Sequence, residues 1–220
     1  MSGIINEALR YLGAGTNAPD DLRRRVEEIS QQLSRSVQPR FTYKVSPIVR
    51  EEHRLILPAV SLTLTDASSC RMLAECDRVV LLGCTLGAAF DTMLRAEQVR
   101  NMADAVILDA CGSALVEAGC DAAEEEVRTR FPDHYLTDRF SPGYGTLPLE
   151  LQSDLCATLD APRHLGLHAT ESCLLNPTKS VTAFIGLSDR PQKARIRGCA
   201  YCALRTNCAF RKGGSRCEAE

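Results

Sequence analysis

The residues from Met102 to Phe131 carry the longest helical pattern in the chain, so the fold must be built around that helix. The segment is rich in Ala, Cys and Gly and can approach its neighbours closely. One residue is out of character. Glu117 interrupts an otherwise apolar run, Ala114-Leu-Val-Glu-Ala-Gly119, and a carboxylate there is costly unless it is exposed, paired or ligand-facing. The later acids Asp121, Glu124, Glu125 and Glu126 read as a solvated helix end.

Around this helix the pattern predicts alternating helices and strands. Residues 3–12 form a short amphipathic helix closed by Gly13, and Asp20 or Asp21 caps a second helix through Leu22, Val26, Ile29 and Leu33. Pro39 ends it. Arg40–Val49 and Leu55–Leu64 are β-rich, Asp66 opens a short helix to about Cys76, and Arg78–Cys84 is an apolar strand. The run Leu82-Gly-Cys-Thr-Leu-Gly87 has glycines after a strand, yet it matches neither G-x-x-x-x-G-K-[ST] nor G-x-G-x-x-G, so it reads as a tight turn into a helix to about Val99. Leu147–Leu159 reads as a helix with Pro148 near its first turn. Gly166–Ser172 and Val181–Gly186 read as strands flanking the loop Cys173–Ser180.

Arg139-Phe-Ser-Pro-Gly-Tyr-Gly-Thr-Leu-Pro148 combines a fixed cation, a rigid turn and an aromatic face. Pro142 sets φ near −65°, and Gly143 tolerates the positive φ that the next turn position needs. A guanidinium fork suits a carboxylate, and a nearby ring covers an apolar or cationic group. A surface turn with a solvated Arg satisfies the same residues.

Charge excludes one class of partner. With 26 basic against 28 acidic residues and no basic stripe interleaved with aromatics, nucleic acid is not expected. The chain shows neither a signal pattern nor a run of 18 apolar residues, which makes a cytoplasmic protein with no membrane partner the default expectation. Of the 11 cysteines, Cys70, Cys76, Cys84, Cys111, Cys120, Cys156 and Cys173 are scattered through apolar segments, as small hydrophobes would be. Cys199, Cys202, Cys208 and Cys217 form a C-x2-C-x5-C-x8-C tail, which suits an iron–sulfur cluster, a structural zinc, or redox-active or unligated thiols.

Arg139-Phe-Ser-Pro-Gly-Tyr144 resembles the Arg-Pro-Ala-Pro-Gly-Tyr loop of the activation domain of cobalamin-dependent methionine synthase. Leu115-Val-Glu-Ala118 is similar to a Leu-Ala-Glu-Ala segment there, and Thr170–Ser180 to its Thr-Glu-Ser…Pro…Ser-Val-Ser segment. Phe140 and Gly145 stand where the family has proline, and Ser141 where it has Ala. The family's early acidic ligand contact has no assigned counterpart in this sequence.

The resemblance implies an α+β fold, a twisted, largely antiparallel sheet with packed helices. It runs from about residue 5 to 187, over a helical piece (1–38) and a core (39–190), and leaves the Cys-rich C-terminal tail (191–220) as an appendage the family's domain lacks. It further implies S-adenosylmethionine bound by Glu117, Arg139, Ser141 and Tyr144. Gly143, Gly145, Thr170, Glu171, Ser172, Lys179 and Ser180 would then face the corrin, the cobalamin of a partner protein. The implied role is reductive reactivation of a separate, short methionine synthase or another corrinoid protein, with a reductase, flavodoxin or ferredoxin as electron donor. An iron–sulfur electron-transfer or scaffold protein of a corrinoid pathway is the competing expectation, and a structural interaction domain a third.

Overall fold

A computed structural model describes residues 2–191 and the single position 206. The four cysteines Cys199, Cys202, Cys208 and Cys217, and the metal-binding expectation placed on them, lie outside the described residues.

At the centre is a four-stranded antiparallel sheet, β1 (Arg40–Pro47), β5 (Arg78–Thr85), β9 (Ser180–Ser188) and β6 (Tyr135–Leu136), in the spatial order β1-β5-β9-β6. The β5 strand is buried at every position after Arg78, so both its faces meet protein. Its alternation separates two cores. Val80, Leu82 and Cys84 join Ile185 and Leu187 of β9 on one face, while Val79 and Leu81 join Phe184 on the other.

The first face is covered by α5 (Met102–Arg130), with α1 (Ser2–Tyr11), α2 (Asp20–Ser36) and α4 (Ala88–Arg100) packed around it. Close approach is built into α5. A Cβ on Gly112 would lie 2.3 Å from the Phe90 ring of α4, and one on Gly119 would lie 2.5 Å from Pro39 and 2.9 Å from the Cys84 sulfur. Asn101 caps α5, its Oδ1 accepting from the amide of Ala103. Arg25 of α2 donates twice to Asp104 in the first turn, at 2.9 and 2.6 Å, which holds that carboxyl below its usual range and fixes α2 to α5.

The second face carries a three-stranded sheet, β2 (Val49–Glu51), β3 (Arg54–Leu57) and β4 (Leu62–Leu64), with α3 (Ala67–Met72), α6 (Leu151–Thr158) and α7 (Ala161–Leu165). A small hairpin, β7 (His168–Ala169) with β8 (Leu175–Asn176), precedes β9. Thus the α+β expectation, antiparallel pairing with helices packed on it, describes the molecule. Among the described residues no helix is long and apolar enough to cross a membrane.

Several boundaries differ from the expectation. Pro19, not Asp20 or Asp21, occupies the N-cap of α2, and both acids lie in its first turn, where the helix dipole favours them. The β-rich run Leu55–Leu64 is cut by a 3-10 turn at Pro58–Val60 and by Ser61 at φ 53°, giving two strands. The α3 helix is capped by Asp66 as expected, but stops at Met72 rather than near Cys76. The α6 helix begins at Leu151 because the backbone around Leu147 is committed to the preceding bend. Only His168 and Ala169 of the run 166–172 pair as a strand.

Candidate functional site

Two backbone decisions create the site. In the segment entering β9's edge, successive side chains point to opposite sides. Phe140 turns into the second core, where it stacks on Phe184 with ring centroids 5.7 Å apart, and its amide and carbonyl both bond Phe184. Proline, with no N–H, could not make that pair. Arg139 therefore turns the other way, onto α5. The bend follows at once. Tyr144 donates its amide to Ser141 O at 3.1 Å, and Gly143 at φ 89° gives the Ser141–Tyr144 turn the geometry of type II, with Pro142 at its second position.

The far end of the bend is clamped. Thr146 donates its amide to Ser68 Oγ at 3.0 Å, and Ser68 donates its own to Thr146 Oγ1 at 3.0 Å, tying the loop to α3. Gly145 sits at φ 57°, with Ser68 Oγ 2.4 Å from where a Cβ would stand, so this close approach requires glycine. Tyr144 is left exposed at the tip, as is Leu149 after the bend.

Arg139 has a side chain only 4 % exposed and meets three carboxylates of α5. Nη2 donates to Glu117 at 2.6 Å and to Asp121 at 2.9 Å, and Nη1 donates to Glu124. Burial alone would lower the guanidinium's pKa. The negative groups around it, Glu124 and Glu117 among them, outweigh that, and it stands above its ordinary value. Cys120, in contact with Cys84 and buried, has its thiol pushed far up and is a neutral neighbour. Glu124 is shared with Arg128, so two guanidiniums face Glu117, Asp121 and Glu124, and one negative charge is left in surplus on the side of Glu117, a setting suited to a cationic ligand group.

The expectations for Glu117 and Arg139 thus meet in one ion pair, with the Ser141–Tyr144 bend directly after Arg139. The expectation that Asp121 and Glu124 form a solvated end is corrected: Glu124 is buried, and Asp121, though exposed, is bonded to Arg139. The overlooked signal was spacing. Asp109, Ser113, Glu117 and Asp121 recur every fourth residue and so share one ridge of α5, with Glu124 a turn further on.

Lys179 belongs to the same ridge. Its Nζ donates to Asp109 Oδ2 and Ser113 Oγ, both at 2.9 Å, so the loop before β9 is fastened to α5 one turn from Glu117. Ser180 Oγ lies 2.7 Å from Thr85 Oγ1. Thr170, Glu171 and Ser172 are exposed at the β7–β8 turn, with Thr170 Oγ1 3.0 Å from Ser172 Oγ. Tyr11, at the end of α1, borders Glu117. Burial, then the charges of Glu117 and Glu7, push its phenol up to about 12. The sequence places Tyr11 in the amphipathic helix of residues 3–12 and assigns it no ligand role.

Among the described residues, no group of three or more His, Cys, Asp or Glu is arranged to hold a metal ion. No protein-family model matches the chain, and no curated protein matches it significantly. Among solved structures it is similar to the crystal structure of the MetH reactivation domain bound to AdoHcy, with a TM-score of 0.65 over 85 % of this chain and 71 % of that one. Sequence identity is 16 %, so the likeness is one of fold. The chain is built on the fold of that reactivation domain, with Glu117 and Arg139 paired on the α5 side of its central sheet and the Pro142-Gly143 bend following directly after Arg139.

Proposed function

We propose that this chain binds S-adenosylmethionine and serves the reductive reactivation of a separate corrinoid protein, a short methionine synthase or another corrinoid methyltransferase. The observation that carries the reading is the Arg139–Glu117 pair beside a proline-glycine bend, in a fold like that of a reactivation domain crystallised with AdoHcy, the demethylated form of this ligand. The residues fit the ligand's charges. S-adenosylmethionine has a sulfonium and an α-ammonium for the acidic surplus around Glu117, and a carboxylate for the guanidinium fork of Arg139. Backbone groups at Ser141 hold the chain of the ligand, and Tyr144 covers it from the exposed tip.

The chain's task is positioning, and no nucleophile is needed from it. The partner's corrinoid, once reduced by one electron from a reductase, flavodoxin or ferredoxin, supplies the cobalt that takes the methyl group, and the cleaved C–S bond leaves a neutral thioether. Gly143, Gly145, Thr170, Glu171, Ser172, Lys179 and Ser180 form the face toward that partner. Of these, Thr170–Ser172 are free to contact it directly, whereas Lys179 acts by holding its loop on α5.

Titration calorimetry with S-adenosylmethionine tests the site. Wild type should bind, and Glu117→Gln should weaken binding about ten-fold, the value of a charge-assisted contact. Absence of heat with wild type, or unchanged affinity in the variant, refutes the assignment.

A further inference from the structure

The three carboxylates on Arg139 are not equivalent. Glu124 takes Nη1 and is 11 % exposed, held between Arg139 and Arg128. The other terminal nitrogen faces the open side, where Glu117 is 38 % exposed and Asp121 is 66 % exposed. Asp121 thus has one strong partner and otherwise faces water. Returning it to solvent costs little, since the Asp121 carboxylate is already largely hydrated and the buried Arg139 keeps Glu117 and Glu124. It also presents a carboxylate, the group that the proposed function places on the guanidinium of Arg139, at the terminal nitrogen facing the open side.

We infer that Asp121 is a built-in competitor for the ligand carboxylate: it occupies Nη2 of Arg139 in the free chain and gives way when S-adenosylmethionine binds. The inference rests on the proposed role of Arg139 and adds a determinant of specificity to it. A ligand without a carboxylate leaves the Asp121–Arg139 pair intact. A ligand with one must exceed what Asp121 already supplies, which keeps the buried cation paired in both states.

The test compares wild type with Asp121→Asn, a near-isosteric change at an exposed position, by titration with S-adenosylmethionine and with its decarboxylated analogue in low-salt buffer. Asp121→Asn should bind S-adenosylmethionine about two- to five-fold more tightly, the range expected from removing one exposed ion pair. Its affinity for the decarboxylated analogue should be unchanged or lower. Weaker binding of both ligands would make Asp121 a simple attractor of cations, and equal affinity of the two proteins for S-adenosylmethionine would make it a bystander. Either result overturns the inference while leaving the proposed function standing. If wild type and variant bind neither ligand, the proposed function and the inference fall together.

Discussion

Arg139 is a buried cation whose neighbours divide the work of neutralising it unequally. Glu124 is the buried partner, bonded also to Arg128 at 3.2 Å, and its replacement leaves the guanidinium with half-exposed company. Glu124→Gln should lower stability by about 1–3 kcal/mol, the range for hydrogen bonds to charged groups. Asp121→Asn should cost under about 1 kcal/mol, as exposed pairs do. Urea midpoints of the two variants check the order, and a larger loss at Asp121 would contradict the division drawn from burial. Legibility follows the same line. Glu117 stood out in the sequence because it breaks an apolar run, whereas Asp121 and Glu124 belong to an acidic stretch of the kind usually left in water. What makes Glu124 different is a partner 15 positions away, supplied by the turn that sends Phe140 into one core and Arg139 onto the opposite side. Nothing local in the sequence announces that.

At the scale of elements, the α4–α5 contact shows how two opposing terms are decided by magnitude. Gly112 lies inside a long helix, where Ala would be favoured by about 1 kcal/mol on propensity alone. Its missing Cβ, however, is the space filled by the Phe90 ring, itself fully buried and unable to retreat. Gly112→Ala should therefore destabilise, by a net of about 1–2 kcal/mol once overpacking is set against propensity. Gly3→Ala in α1, where nothing lies within 4 Å, should be neutral or stabilising. Thermal unfolding of the two variants compares them directly, and a stabilised Gly112→Ala would mean the two helices are less closely packed than described. Long elements such as α5 and β5 were legible because their periodicity runs over many residues. Short ones were legible only in part: α3 opens at Asp66 and β7 lies inside the run 166–172 as expected, but β8 falls in the expected loop and the break at Pro58–Val60 needs a left-handed Ser61 that composition does not advertise.

At the scale of the whole molecule, the thiols in both cores link stability to alkaline pH. Burial pushes the thiols of Cys111, in the first core, and Cys76, in the second, up to about 12. In the unfolded chain a cysteine titrates near 8.5. Both groups are protonated in either state below that pH, so their contribution is then complete and constant. Between about pH 9 and 12 the unfolded chain releases protons that the folded chain retains, and stability falls as pH rises. Tyr11, also pushed up to about 12, adds to the upper part of this fall. Each thiol contributes a slope approaching about 1.4 kcal/mol per pH unit in that window. The melting temperature should be level from pH 7 to 8 and decline above pH 9. Cys111→Ala, whatever it costs at neutral pH through lost packing, should decline less steeply because one of the retained protons is gone. Equal slopes for wild type and variant would place that thiol in contact with water, and the packing of α5 against α2 would then need to be redrawn.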